Sequence, residues 1–264
     1  MNIILRELYT NMKSLLVWSV VMFAFVIMMF AEFAAYYKNP EMMAVIDAMP
    51  QGLLEAFGMA GANLTTVSGY LGVSIVFINL TLSVYAMLLG NGIIAKEERD
   101  KTAGFSLTLP VTRSRLITGK LVAALSCSLI LLTVVAGSIM VAVRPYELEA
   151  HFGIFMLLIM GTSFVTMFIF QSLGMLLASL LRRHKISSGI GMGLVFVTYL
   201  LSILAALSDE VAFLRHLSPF SYFEAHALLR DLRIEPLSLV FSALIITVAL
   251  VGTYVSYNKR DLYV

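Results

Sequence analysis

The sequence predicts an all-α integral membrane protein with six transmembrane helices. Three observations carry this reading. Sixty per cent of the 264 residues are hydrophobic and only 13 per cent charged, with a mean hydropathy of +0.92; a soluble domain carries about 25 per cent charge. Six apolar runs, near 15–37, 70–95, 116–143, 152–181, 186–207 and 237–257, match the roughly 20 residues needed to cross a hydrocarbon core of about 30 Å. Lys and Arg also segregate between the connections that join these runs.

Residues 1–14 read as an interfacial helix. Ile4, Leu5, Leu8 and Met12 fall on one helical face, with Arg6, Glu7, Asn11 and Lys13 elsewhere around it, a pattern suited to lying along the membrane surface. The first apolar run lacks a small-residue cleavage pattern and reads as a retained helix. Trp18, the single Trp, is expected near the headgroups.

The loop 38–69 carries Met42, Met43, Val45, Ile46, Met49, Leu53, Leu54 and Phe57 at helical spacing, broken by Pro50, Gly58 and Gly61. Short helices on the ends of the spans are expected there. Cys127 sits alone inside the third run and reads as a small apolar filler. The fourth run is longer than a bilayer requires; tilting, extension past the membrane, or a bend near Gly174 would each accommodate it. Gly189 and Gly193 make a G-x-x-x-G in the fifth run, read as ordinary intramolecular packing in preference to a dimer seam. In the loop 208–235, Ser221 with Glu224 suggests a capping-box start to a helix running to about Leu232. Pro236 suits the first turn of the last span.

Six spans place both termini on one side. That side holds thirteen Lys and Arg, six of them in the 96–120 connection, and the other side holds five. Ten acids sit on the Lys/Arg-poor side. Lys and Arg concentrate in cytoplasmic loops, so both termini and the 96–120 island are expected in the cytosol of a cell-membrane protein.

The polar inventory narrows the function classes. His151, His184, His216 and His226 all fall in loops or at span ends, so no span offers the converging ligands of an intramembrane metalloprotease. Gly161-Thr162-Ser163 faintly suggests a serine nucleophile, but no span holds a His base. No enzyme activity, metal or resident cofactor is expected. Ion-coupled carriers keep charged groups within spans; the candidate here is Glu32, near the outer end of the first. Glu32, Asn79, Asn91 and Gln171 are the residues that could line a substrate path, although single polar residues in spans usually bond neighbouring helices. A P-loop needs G-x-x-x-x-G-K-[ST]. Gly119-Lys120 is followed by Leu and lacks the upstream Gly, so ATP-driven work would need a separate nucleotide-binding subunit.

The charged island is more than a chain reversal. Residues 96–120 read KEERDKTAGFSLTLPVTRSRLITGK, with Phe105, Leu107 and Leu109 inside the charged stretch. This segment resembles the first cytoplasmic loop of ABC-2 type ABC-transporter permeases: an acidic pair (Glu97-Glu98), a turn Thr (Thr102), a Leu-rich helix (Phe105-Ser106-Leu107), Leu109-Pro110-Val111-Thr112-Arg113, and a later Lys (Lys120). The usual Gly before the Thr is Lys101 here. Weaker echoes are Met49-Pro50 with Ala56-Phe57-Gly58, Leu217-Ser218-Pro219-Phe220, and Lys259-Arg260-Asp261-Leu262.

The resemblance implies a permease domain over the whole chain, with a cytoplasmic coupling helix in the 96–115 loop. Glu97, Glu98, Thr102, Phe105, Leu107, Leu109, Pro110 and Arg113 would dock it in a groove of an ABC-type ATPase subunit, which binds the ATP and Mg²⁺. Charges would set register and the apolar residues an anchor. The family arrangement also implies a second permease half, identical or related, in membrane lipid and without nucleic acid. The sixteen Met and many Phe would suit export of a hydrophobic or amphipathic peptide, drug or lipid-like substrate. The alternative is a membrane scaffold or sensor whose loop binds a regulator.

Overall fold

The structure, a computed structural model, describes residues 3–56, 58–59, 62–99, 112–181, 183–207 and 209–259. The long helices are α1 (Ile3–Tyr36), α4 (Val67–Arg99), α5 (Arg113–Ala142), α6 (Phe152–Leu180), α7 (His184–Leu207) and α9 (Pro236–Lys259). All six are long and apolar enough to cross a membrane. The short helices are α2 (Pro40–Asp47), α3 (Gln51–Ala56) and α8 (Ala225–Asp231), with 3₁₀ turns at Asp209–His216 and Pro219–Ser221. No strand occurs among the described residues.

The segment expected to lie apart in the interface is continuous with the first span. No Gly or Pro interrupts 3–36, so helical propensity carries through. At 34 residues α1 is about 51 Å long and exceeds the bilayer core. Its buried stripe is Glu7, Leu15, Met22, Val26, Phe30 and Phe33; Leu16, Val17, Val20, Phe23 and Met28 lie exposed on other faces, suited to lipid.

α4 and α6 form the centre and pack along much of their lengths; α1 packs on α5, α9 on α6, and α7 on α4. Two glycines set the central crossing. A Cβ at Gly90 would lie 2.1 Å from the Gln171 carbonyl oxygen, and one at Gly174 would lie 2.5 Å from that of Met87. Only glycine permits backbones this close. Gly174, where a bend was one expectation, is therefore a contact point within an uninterrupted helix. A Cβ at Gly191 would meet the Met87 sulfur at 2.9 Å, whereas Gly189 and Gly193 have nothing within 4 Å. This overturns the expectation that the G-x-x-x-G pair packs inside the chain: each lies two positions from Gly191, is exposed, and faces away from α4.

One end of the bundle gathers residues 37–39, 67–70 and 146–149. Lys38 Nζ donates to Glu147 Oε2 at 2.6 Å, and Ser68 Oγ to Glu149 Oε2 at 2.8 Å. Phe33 stacks among Tyr37, Tyr70 and Tyr146 with ring centroids 4.7–5.6 Å apart. Hydrogen bonding to Lys38 holds the Glu147 carboxyl below its usual range. Asn39 caps α2, accepting from the backbone of Glu41 and Met42, with Pro40 following it.

At the same end, the cap of α8 differs from the expected box. Ser221 closes the preceding 3₁₀ turn, and Glu224 occupies the N-cap position without a side-chain bond. Pro219 starts that turn and Tyr222 donates to the His216 carbonyl at 2.6 Å, which commits Ser221 to the turn. The helix ends at Leu232, held at φ 49°.

Candidate functional site

Two places follow from this framework: the ends of the charged connection, and a cavity at the opposite end of the bundle.

At the first place, α4 ends and α5 begins. Glu97 and Glu98 fall in the last turn of α4, and their side chains lie outside the described residues. Thr102, Phe105, Leu107, Leu109 and Pro110 also lie outside them. What the structure describes is how the connection is anchored. Lys96 lies 3.5 Å from Glu7 of α1, with side chains only 16% and 4% exposed. Arg113, the first residue of α5, donates from Nη1 to the carbonyls of Tyr257 and Asn258 at 3.3 and 3.2 Å. A cation on the last carbonyls of α9 is favourable both as a hydrogen-bond donor and against the helix dipole. Thr112 caps α5 by accepting from the Arg115 N–H. The Thr118 and Tyr254 hydroxyls meet at 2.7 Å. Lys120 is fully buried and donates to the Ile93 carbonyl, tying α5 to α4.

The four residues proposed to line a path do not converge. Asn91 is fully buried and bridges α4 to α7: its amide donates to Ser187 and its carbonyl accepts from Ser188 at 3.1 Å. Gln171 is equally buried and accepts from Ser128 at 2.6 Å. Both pin helices together near the glycine crossing. Glu32 is exposed on α1, away from both cavities described below. Asn79 lines a cavity.

That cavity holds about 420 Å³ between α4, α7 and the segment 215–226. Asn79 lies twelve residues into α4, about 18 Å along the helix, so the cavity reaches well into the bundle. Tyr199, Ile203, Phe220 and Phe223 form apolar walls, with Arg215, Glu224 and His226 also lining it. Phe220 is set by contacts to Phe170 and Tyr199, at 5.1 and 5.7 Å between centroids. Buried Ser218 pins the segment by donating to the Thr198 carbonyl at 2.7 Å. A second cavity, about 810 Å³, adjoins it and shares Arg215, Ser221, Phe223 and Glu224.

Sequence reasoning missed Glu7, Lys96 and the cavity walls. Glu7 could have been found: it precedes Leu15 and Met22 by eight and fifteen residues, on the face that proves to be buried. The walls come from residues more than a hundred positions apart and left no local signal.

Six apolar helices with polar anchoring at one end and a cavity at the other define a multi-pass α-helical membrane protein. The family model described as ABC-2 family transporter protein matches residues 1–262, and the chain belongs to that family. It is a permease subunit of an ABC transporter, a class that works with ATPase subunits. A search of curated proteins found no match to the chain.

Proposed function

We propose that the chain is the transmembrane half of an ATP-driven exporter in the cell membrane. Both termini and the 96–115 connection face the cytosol. Glu97, Glu98, Thr102, Phe105, Leu107, Leu109, Pro110 and Arg113 dock an ABC-type ATPase, which carries ATP and Mg²⁺. A second permease half completes the pathway, and the cargo is hydrophobic or amphipathic.

The family match over residues 1–262 carries this reading, and the anchoring of the connection supports it. A push on a loop moves helices only where its ends are stiff. Here Lys96 is paired with Glu7 of α1, Arg113 bonds the end of α9, and Lys120 joins α5 to α4. Force on the loop therefore reaches four of the six long helices. Arg113 has this anchoring role whether or not it also touches the ATPase.

The test is capture of candidate ATPases by the chain in detergent, with ATP hydrolysis and transport both measured. Glu98→Ala and Phe105→Ala are expected to lower capture and uncouple hydrolysis from transport while the melting temperature is unchanged. Unaltered coupling in both variants would refute the docking role and favour a scaffold that binds a regulator.

A further inference from the structure

Two helices that pack on α6 leave a slot between them. A Cβ on Gly252 of α9 would lie 2.8 Å from Leu176 Cδ1, and one on Gly191 of α7 would lie 3.6 Å from Leu177 Cδ1. Leu176 and Leu177 point about 100° apart around α6. Leu180 and Leu173 fall between them, about 40° and 60° from Leu176. Leu173 is partly exposed and Leu180 is 57% exposed. These two leucines therefore floor a slot between α7 and α9 at the end of α6 nearest the charged connection.

The walls follow from seven-residue steps, which keep to one helix face within about 20°. Lys185, Met192 and Tyr199 share a face of α7, and Phe241, Val248 and Val255 share a face of α9. Toward the far end of the bundle both walls meet the segment that joins the two helices. Tyr199 packs on Phe220 at 5.7 Å between centroids, and Phe241 lies 5.5 and 6.1 Å from His216 and Tyr222. Residues 216–222 thus fill the slot there. Nearer the charged connection it is open: Met192 is partly exposed, and Val248 and Val255 are 60% and 49% exposed. Lys185 and Tyr199 are fourteen residues apart, about 21 Å along the helix, and one leaflet of the hydrocarbon core is about 15 Å deep. The open part is therefore about one leaflet long. A membrane-crossing helix of a second chain would need the other leaflet too, where residues 216–222 stand in its way.

The mouth of the slot is basic. Ser256 of α9 donates to the Ser179 carbonyl of α6 at 2.9 Å, which sets Lys259, three residues on, level with the turn that joins α6 to α7. Arg183 lies in that turn and Lys185 at the start of α7. All three side chains are exposed, and none has an ion-pair or hydrogen-bond partner among the described residues. Cations gathered without a counter-charge favour an anion. Bases at the rim and leucines and valines below are complementary to one kind of molecule, an anionic head on an apolar chain. Basic pockets between spans recognise anionic lipid headgroups in this way.

We propose that the slot between α7 and α9 holds one anionic phospholipid from the leaflet beside the charged connection. Its phosphate lies among Arg183, Lys185 and Lys259, and one acyl chain runs along Leu180, Leu173 and Val248. The lipid links α7 to α9 at the end where Arg113 already ties α9 to α5. The site requires only the six-span membrane class and does not rest on the exporter reading.

The test is native mass spectrometry of the full chain released from neutral detergent. The probes are dioleoylphosphatidylglycerol, dioleoylphosphatidylcholine, and glycerol phosphate as a head without chains. One phosphatidylglycerol per chain is expected to bind saturably, at least about tenfold tighter than phosphatidylcholine, and glycerol phosphate is expected not to displace it. Lys185→Gln with Lys259→Gln should remove most of that preference, at about fivefold for each cation lost, and leave the melting temperature unchanged. Val248→Trp narrows the apolar part and should weaken both lipids by several fold. Lys13→Gln with Arg115→Gln removes two exposed bases at the same end of the bundle but off the slot, and should leave the preference as it was. Equal binding of the two lipids would overturn the proposal. So would an equal loss in the Lys13 and Arg115 variant, which would make the effect one of overall charge. Displacement by glycerol phosphate would show a free-phosphate site with no lipid role for the slot. A dimer that Val248→Trp dissociates would show that a second copy covers the slot, and would overturn the proposal as well.

Discussion

Removing the Glu7 carboxylate is expected to destabilise the chain and to loosen the charged connection from α1. The pair is nearly dry, with Glu7 and Lys96 side chains 4% and 16% exposed and 3.5 Å apart. At an effective dielectric of about 20, that separation corresponds to an attraction of about 5 kcal/mol. Desolvation of both groups offsets much of it in the intact protein. Glu7→Gln leaves the desolvation of Lys96 in place and removes the attraction, and single-partner loss in buried pairs costs about 3–5 kcal/mol. Lys96 lies in the last turn of α4, and its flexible stem can carry the ammonium toward water, so the lower end, about 3 kcal/mol, is expected. For a chain of this size that lowers the melting temperature by roughly 6–12 °C. The assay is thermal unfolding in detergent of Glu7→Gln, Lys96→Met, the double variant, and the exchange Glu7→Lys with Lys96→Glu. The double variant should melt closer to the wild type than either single one, because it buries no lone charge. In the ATPase complex, Glu7→Gln should also reduce transport per ATP hydrolysed. Single variants melting within about 2 °C of the wild type, or a double variant showing simple additivity, would refute the buried-pair argument.

Three further expectations concern glycines. Gly90→Ala drives a Cβ to 2.1 Å from the Gln171 carbonyl and should cost about 1–3 kcal/mol or more by overpacking, seen as a lower melting temperature. Gly161→Ala in α6 meets nothing within 4 Å and should stabilise the helix by about 0.5–1 kcal/mol. Gly189→Leu with Gly193→Leu should leave the melting temperature of the monomeric chain within about 2 °C, since neither Cβ meets an atom within 4 Å. A large drop would show that this face packs inside the chain after all.

The spans were legible because each is a long apolar run, and their number follows from counting. Their ends were less so. α4 continues to Arg99 and α5 starts at Arg113, each beyond the apolar run, because nothing in Lys96–Arg99 or Arg113–Arg115 breaks a helix. The start of the first span was no more legible: amphipathic and apolar segments with no intervening Gly or Pro make one continuous helix. Glycines misled in both directions. Gly189-x-x-x-Gly193 matches a packing motif and meets nothing within 4 Å among the described residues, while Gly90 and Gly174, in no motif, set the tightest contact between long helices among them. Motif spacing reports which residues share a face; which face meets a neighbour depends on the other helices. Asn79, Asn91 and Gln171 looked alike as polar residues in spans, and only partners in other helices separated the two that pin the bundle from the one that lines a cavity.

α4 joins the two ends of the molecule, and its contacts define how it can move. Along its length lie Asn79 in the cavity, Gly90 at the crossing with α6, Asn91 bonded to α7, and Lys96 paired with α1. The crossing at Gly90 is the point at which a rigid α4 has least freedom to translate, because the Gln171 backbone lies against it. Lys96 is six residues beyond Gly90 and Asn79 eleven before it, about 9 and 16 Å along the axis. A rigid helix pivoting there would move Asn79 about 1.8 times as far as Lys96, in the opposite sense. A displacement of about 2 Å at the charged connection would thus shift Asn79, beside the cavity, by about 3.5 Å. The glycine contact therefore matters beyond stability. A Gly90→Ala chain that still folds would have its helices wedged apart at the pivot, and its transport per ATP hydrolysed should fall.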